Sequence, residues 1–237
     1  MSLAAAAGQR LRTVAERAAP ELDDAPADEI VAWAAAAVGD VGGRLVVASS
    51  MQDAVLPHLV STVVPDVEVL FLDTGLHFAE TLATRASVAR QLPVRVLDVR
   101  PRQSVEEQDL EYGPALHDRD PGLCCFLRKV DPLARALEPY AAWVTGLRRE
   151  DSPTRSQAPA VAWDDAHDLL KVNPLVRWTT EQLLSYESEH SLVRHPLRDN
   201  GFPSIGCAPC TRRVEPGDDP RSGRWSGHGK TECGIHV

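Results

Sequence analysis

The chain has 237 residues, of which 43% are hydrophobic, and a formal net charge of -9. The acidic balance argues against a broad surface for nucleic acid or an anionic membrane, and no apolar run approaches the ~20 residues needed to cross a bilayer. We therefore expect a cytoplasmic protein whose anionic ligands are small. This length predicts a single domain over residues 1–214, followed by a mobile tail over residues 215–237 that is rich in Gly, Pro, Ser, Asp and Arg.

The N-terminal part of the chain is predicted to be helical. An alanine-rich pattern from residue 10 to about residue 39 predicts two helices, with Pro26 suited to a first turn and Gly39 to a helix end. The apolar run at residues 44–49 predicts the first strand. The helical spacing of apolar residues that follows predicts a helix with Asp53 as its N-cap.

The same strand, loop and helix unit then repeats. Strands are predicted over residues 67–72 and 94–97, on either side of a helix over residues 81–91, and a further strand over residues 142–146. Near-continuous apolar strands that alternate with helices are typical of parallel sheets that are covered on both faces. We therefore predict an α/β fold with an open, mostly parallel sheet and helices on both faces.

In open parallel sheets, ligands bind beyond the carboxyl ends of the strands, which here are the loops at residues 49–53, 73–77 and 146–149. The first loop presents hydroxyls and N–H groups at a helix N-terminus, which favours a phosphate, although it matches neither GxxxxGK[ST] nor GxGxxG. The alternative interpretations are ordinary helix capping for the first loop, a local turn for the second and a solvated pair of arginines for the third. The candidate substrate-binding residues of these loops are Ser49, Asp73, Thr74, Gly75 and Arg148.

Four of the five cysteines resemble metal ligands. Cys207-Ala-Pro-Cys210 has the two-residue spacing used by zinc and iron-sulfur sites. The adjacent side chains of Cys124 and Cys125 diverge, which suits separate corners of a 4Fe-4S cluster better than one tetrahedral zinc. Zinc and buried free thiols remain the alternatives. If residues 123–138 form a helix, then Arg128 and Lys129 lie one turn from the cysteine pair.

Cys233 stands apart from the other four cysteines, in the segment Lys230-Thr-Glu-Cys-Gly-Ile-His236. Cationic neighbours at three-residue offsets favour a thiolate, and Gly234 leaves access for an in-line attack. Cys233 is therefore the candidate catalytic nucleophile, and an incidental thiol near the chain end is the alternative.

The most specific motifs together resemble the bacterial sulfonucleotide reductases, and within them the iron-sulfur branch, the assimilatory adenylyl-sulfate (APS) reductases. The resemblance covers nearly everything from residue 44 onward. The segments that carry it are Gly146-Leu-Arg-Arg149, Cys124-Cys125 with Lys129, Gly201-Phe-Pro-Ser-Ile-Gly-Cys-Ala-Pro-Cys210, and Arg221-Ser-Gly-Arg-Trp225 with the segment Lys230–His236.

This resemblance implies an adenine-nucleotide hydrolase-like fold and a set of site residues. The SGGxDS loop of ATP pyrophosphatases is absent, and Ser50 stands where relatives often have glycine. The implied ligands of a 4Fe-4S cluster are Cys124, Cys125, Cys207 and Cys210. The implied contacts to the substrate phosphosulfate are Lys129, Arg221, Arg224 and His236.

The resemblance also implies an enzyme of sulfate assimilation that reduces APS to sulfite and AMP through an S-sulfocysteine on Cys233. No second cysteine lies near Cys233 in the sequence, so thioredoxin or a similar dithiol is the expected reductant. Reduction of phosphoadenylyl sulfate (PAPS) and a non-catalytic redox sensor that binds a nucleotide are the alternatives, and sulfur transfer to tRNA is disfavoured. The sequence is compatible with a homo-oligomer but does not define the oligomeric state.

Overall fold

The computed structural model describes residues 3–236. Two helices, α1 (Leu3–Leu22) and α2 (Ala27–Gly39), precede the first strand, as predicted. Pro26 occupies the N-cap of α2, and Gly39 is its last residue. Among the residues described, no helix combines the length and the apolar character needed to cross a membrane.

Six strands form one sheet in the order β3-β2-β1-β4-β6-β5. All neighbouring pairs are parallel except the last, because β5 runs antiparallel to β6. This arrangement confirms the predicted mostly parallel α/β fold. The strands are β1 (Leu45–Ala48), β2 (Glu68–Leu72), β3 (Arg95–Val99), β4 (Ala142–Thr145), β5 (Val161–Asp164) and β6 (Leu169–Val172).

The central strands are buried on both faces, as near-continuous apolar strands require. All four residues of β4 are buried, and its alternate side chains enter two different cores. Val144 belongs to the larger core, beneath α1 to α3, whereas Trp143 packs with Leu133 in a smaller core on the opposite face. The remaining helices are α3 (Val55–Val63), α4 (Ala79–Gln91), α5 (Val105–Tyr112), α6 (Leu116–Arg119), α7 (Pro121–Cys125), α8 (Asp131–Leu137) and α9 (Thr180–Glu189).

The structure corrects two local predictions. Helix α3 begins at Val55 with Ala54 at its N-cap, so the prediction of Asp53 as the N-cap is wrong by one residue. The Asp53 carboxylate still accepts a hydrogen bond from the Val55 N–H, at 3.0 Å. The predicted helix over residues 123–138 is helical throughout, but one π-helical turn, Phe126–Val130, separates α7 from α8.

Candidate active site

A cavity of about 320 Å³ lies at the carboxyl ends of β1, β2 and β4. The strand order reverses between β1 and β4, and this is where ligands bind in open α/β sheets. Three predicted residues of the strand-end loops line the cavity: Ser49, Thr74 and Arg148. The predicted position of the site in the fold and the observed cavity therefore coincide.

Two other residues predicted from these loops do not line the cavity. The Asp73 carboxylate accepts the Gly75 N–H at 3.2 Å and pairs with Arg100 at 3.3 Å. Gly75 has a φ of +71°, where a side chain would be strained, and a Cβ there would approach Arg128. Asp73 and Gly75 therefore shape the turn, which is the alternative that the sequence left open for them.

The two arginines that follow β4 have different surroundings. Arg148 donates to the Asp151 carboxylate at 2.7 Å, and its side chain lines the cavity. Arg149 turns away, donating to the Ala158 carbonyl at 2.9 Å and pairing with Asp23. Only the first arginine of the pair is therefore available to a ligand in the cavity.

The tail lies against the cavity and supplies several of its lining residues. The Trp225 N–H donates to the Cys210 carbonyl at 3.0 Å, which fixes the tail beside the second cysteine segment. The tail residues that the sequence identified as site residues all line the cavity, and so does Lys129 from the π-helical turn. These tail residues are Arg221, Arg224, Cys233 and His236.

The Arg224 guanidinium is held in the cavity wall without a complete set of partners. It lies 4.5 Å from the centroid of the Trp225 ring and donates through Nη1 to the Ser204 hydroxyl at 3.3 Å. Burial, together with the charge of Arg221, lowers the pKa of Arg224. Its Nε is buried without a hydrogen-bond partner among the described residues, as are Trp225 Nε1 and His236 Nδ1. Such orphaned groups around one cavity indicate a site for a polar ligand.

Lys129 lies between cysteine sulfurs and the cavity. Burial by itself lowers the pKa of Lys129, but the charges of Cys207 and Cys233 outweigh it and the net shift is upward. The reverse holds for Cys207, where burial raises the pKa and Lys129, with a hydrogen bond from Thr74, lowers it overall. The Thr74 hydroxyl lies 3.4 Å from the Cys207 sulfur. The environment of Cys207 thus favours a thiolate.

Four cysteines line a second, small cavity next to the first, together with Arg128 and Lys129. We call Cys124, Cys125, Cys207 and Cys210 the cysteine quartet. Burial and the other three sulfurs raise the pKa of Cys124 to about 12, and burial with Cys207 raises that of Cys210 to about 11. Within residues 3–236, no group of three His, Cys, Asp or Glu side chains is arranged so that it could hold a single metal ion.

Several residues of the site were not identified from the sequence. Arg155 lines the cavity and forms an ion pair at 2.7 Å with Glu232 of the tail, and the ring of His236 stacks on buried Trp143 with centroids 5.7 Å apart. Asp53 lines the cavity as well, and burial raises its pKa against the opposing charge of Arg198. The position of Glu232 next to Cys233 was the one available signal for the ion pair.

Three comparisons agree with this geometry. The family model described as phosphoadenosine phosphosulfate reductase domain matches residues 44–213. The chain is 53% identical to an adenosine 5'-phosphosulfate reductase of Streptomyces coelicolor, over 96% of this chain and 95% of the relative.

Solved structures show the same fold. A phosphoadenylyl-sulfate (PAPS) reductase from Candida auris, in a phosphate complex, is 25% identical and superposes with a TM-score of 0.70 over 84% of this chain and 96% of that one. An FMN adenylyltransferase from Candida glabrata is 11% identical and has a TM-score of 0.54, over 92% of this chain and 79% of that one, which is a likeness of fold alone.

Proposed function

The chain belongs to the phosphoadenosine phosphosulfate reductase family, and on this premise we propose that it reduces APS to sulfite and AMP. The observation that carries the proposal is that Cys233 lines the same cavity as Lys129 and Arg224. A nucleophile and anion-binding groups then face one ligand at the nucleotide-binding edge of the sheet. The similarity to an adenosine 5'-phosphosulfate reductase supports APS as that ligand.

In the first step, the Cys233 thiolate attacks the sulfur of the sulfate group of APS. A bond forms between the Cys233 sulfur and the sulfate sulfur, while the bond between the sulfate sulfur and the bridging oxygen breaks. AMP leaves with the electron pair of the broken bond. The protein then carries an S-sulfo group on Cys233.

Positive groups around the cavity stabilise the charge that develops on the leaving phosphate. Lys129 and Arg221 bring charge to the cavity, and Arg224 Nε and Trp225 Nε1 are buried donors without partners among the described residues. Such donors act most strongly where water is excluded. A tail closed over the nucleotide both seats Cys233 and keeps water out.

The second step needs an external dithiol, because the other four cysteines of the chain form the quartet. One thiolate of thioredoxin attacks the Cys233 sulfur and sulfite leaves with the electron pair of the sulfur–sulfur bond. The second thiol then releases Cys233 and forms the thioredoxin disulfide. The dithiol thus supplies the two electrons of the reduction. We place the reaction in the cytoplasm, where such thiols stay reduced.

The cysteine quartet would hold one 4Fe-4S cluster. The four sulfurs come from two distant segments and line one cavity beside two cations, a donor set that suits a cluster with one thiolate on each iron. The pKa of Cys207 is lowered despite burial, whereas burial and neighbouring sulfurs raise the pKa of the other three thiols, a repulsion that cationic iron would offset. When bound, the cluster would supply fixed charge and a cross-link between α7 and the segment before the tail.

Reduction of PAPS is the second candidate function, because the solved Candida auris structure is a PAPS reductase. The test is steady-state sulfite release with thioredoxin and each nucleotide in turn. We expect a kcat/KM for APS that exceeds that for PAPS by roughly 100-fold or more. Faster turnover of PAPS would select the second candidate. Tight binding of a nucleotide without sulfite release would favour a non-catalytic redox sensor.

A further inference from the structure

We propose that Glu232 is a positioning residue, which holds Cys233 in the cavity by pairing with Arg155 and Arg221. The inference rests on the proposed function, since it concerns how the nucleophile of that reaction is placed. Glu232 immediately precedes Cys233. Its carboxylate is therefore the nearest side chain through which the body of the protein can fix the nucleophile.

Four donors from two segments converge on the Glu232 carboxylate. Arg155 donates through Nε to Oε1 at 2.8 Å and through Nη2 to Oε2 at 2.7 Å. The Thr154 hydroxyl donates to Oε1 at 3.2 Å, and Arg221 donates to Oε2 at 3.3 Å. A bidentate arginine–carboxylate pair fixes direction as well as distance. The backbone next to Cys233 is thus held in one orientation.

The partner of Glu232 is itself well fixed. Arg155 ends a short helical turn, Pro153–Arg155, that is capped by the Ser152 hydroxyl. The side chain of Arg155 is 12% exposed and that of Glu232 is 18% exposed, so water competes little for their contacts. Burial lowers the pKa of Arg155, but Glu232 outweighs it and the net shift is upward, as a stable ion pair requires.

Arg221 links the two ends of the tail loop. It donates to the Thr231 carbonyl at 2.8 Å, in addition to Glu232. Glu232 therefore joins the body of the protein, through Arg155, to the base of the loop that carries Arg224. Loss of the Glu232 charge therefore weakens its contacts with Arg155 and with Arg221 together.

The other side of Cys233 is held by packing. Gly234 has a φ of +90°, which turns the chain back towards the protein. Ile235 then packs on the smaller core, and His236 stacks on Trp143. Cys233 lies between this packed end and the Glu232 ion pair. Because the packed end is so close, loss of the ion pair misplaces the thiol rather than freeing the whole tail.

The expected effect is therefore on the chemical step. A charge-assisted contact of this kind changes a rate by roughly 10–100-fold when its alignment is lost. We expect Glu232→Gln to slow formation of the S-sulfo adduct by that factor at saturating APS. Affinity for AMP, which does not require Cys233, should stay within about threefold.

The experiment is a single-turnover reaction of the protein with excess APS and no reductant, followed by intact mass. The variants are Glu232→Gln, Glu232→Asp and, as a matched control, Glu215→Gln, which removes the same charge from an exposed position of the tail. Glu232→Asp keeps the charge and should recover part of the rate, whereas Glu215→Gln should match the parent. Hydrogen exchange of the peptide over residues 226–236 should rise in Glu232→Gln alone.

The outcomes separate this inference from the proposed function. If the parent forms no adduct, the proposed function fails, and hydrogen exchange still reports whether Glu232 fixes the tail. If the parent reacts and Glu232→Gln equals it in both rate and exchange, the positioning role is wrong. An equal loss of rate in Glu215→Gln and Glu232→Gln would also overturn it, because the effect would then not depend on the ion pair with Arg155.

Discussion

Gly206 has no side chain, and this leaves the space that the Arg224 guanidinium occupies in the cavity wall. A Cβ built on Gly206 would overlap the Arg224 guanidinium, whose Nη2 and Cζ are the nearest atoms. Gly206 also precedes Cys207, so the backbone at this point borders both the cavity wall that contains Arg224 and the cysteine quartet. The glycine is therefore required by the close approach of Arg224 and not by its own backbone conformation.

We expect Gly206→Ala to displace the Arg224 guanidinium. A shift of about 1 Å in a charge-stabilising group lowers kcat/KM by up to roughly 100-fold. The measurement is kcat/KM for APS beside iron content, so that an effect on the proposed cluster is recognised. Gly229→Ala is the matched control, because a Cβ at Gly229 meets nothing within 4 Å. Parental kcat/KM in Gly206→Ala would contradict the assigned role of Arg224.

At the scale of elements, the π-helical turn joins the cysteine pair to two other segments. Arg128 in this turn is 3% exposed. It donates to Gln108 Oε1 at 3.0 Å, to the carbonyls of Gln103 and Ser104 at 3.4 Å, and to the Thr74 carbonyl. One side chain thus connects α7, the loop after β2 and the start of α5.

Arg128→Met should destabilise the protein, because it removes a donor from the Thr74 carbonyl and from Gln108 Oε1, both of which belong to buried residues. We expect a loss of about 3 kcal/mol in the free energy of unfolding, or roughly 6–12 °C in the melting midpoint for a chain of this size. Arg102→Met is a suitable control, since that side chain is 69% exposed. A melting midpoint of Arg128→Met within about 1 °C of the parent would show that these contacts contribute little.

The repeating strands and helices could be predicted from the sequence, but strands β5 and β6 and the π-helical turn could not. Strands β1 to β4 are short segments rich in apolar residues that alternate with helices, so local pattern was sufficient for them. The hairpin of β5 and β6 was not identified, because Trp163, Asp164 and Lys171 are only partly buried and neither strand forms a continuous apolar run. The π-helical turn was not predicted either, since its hydrogen bonds span one residue more than those of an α-helix and no sequence pattern marked that change.

At the scale of the whole molecule, the fold gives neighbouring residues different surroundings. Thr74 faces the cavity while its neighbours Asp73 and Gly75 build the turn, and sequence alone does not distinguish these roles. The ion pair of Arg155 and Glu232 joins residues that are 77 positions apart. Such contacts depend on how the tail packs, which no local pattern encodes.

In the molecule as a whole, Cys233 lines the larger cavity and the cysteine quartet lines the smaller one beside it, with Cys207 bordering both. This division is the basis of the proposed mechanism. It requires that Cys233 alone accept a sulfo group from APS and that the cysteine quartet stay unmodified. Cys233→Ser should therefore keep the affinity for AMP, and the iron content that the proposed cluster would give, while losing all transfer of the sulfo group.

The most direct test is the intact mass of the protein after mixing with APS in the absence of any thiol reductant. We expect a gain of one sulfo group per chain, mapped to Cys233 by peptide analysis, with sulfite appearing only after thioredoxin is added. Cys233→Ser should show no gain. An unmodified parent protein, or a sulfo group on any member of the cysteine quartet, would contradict the account.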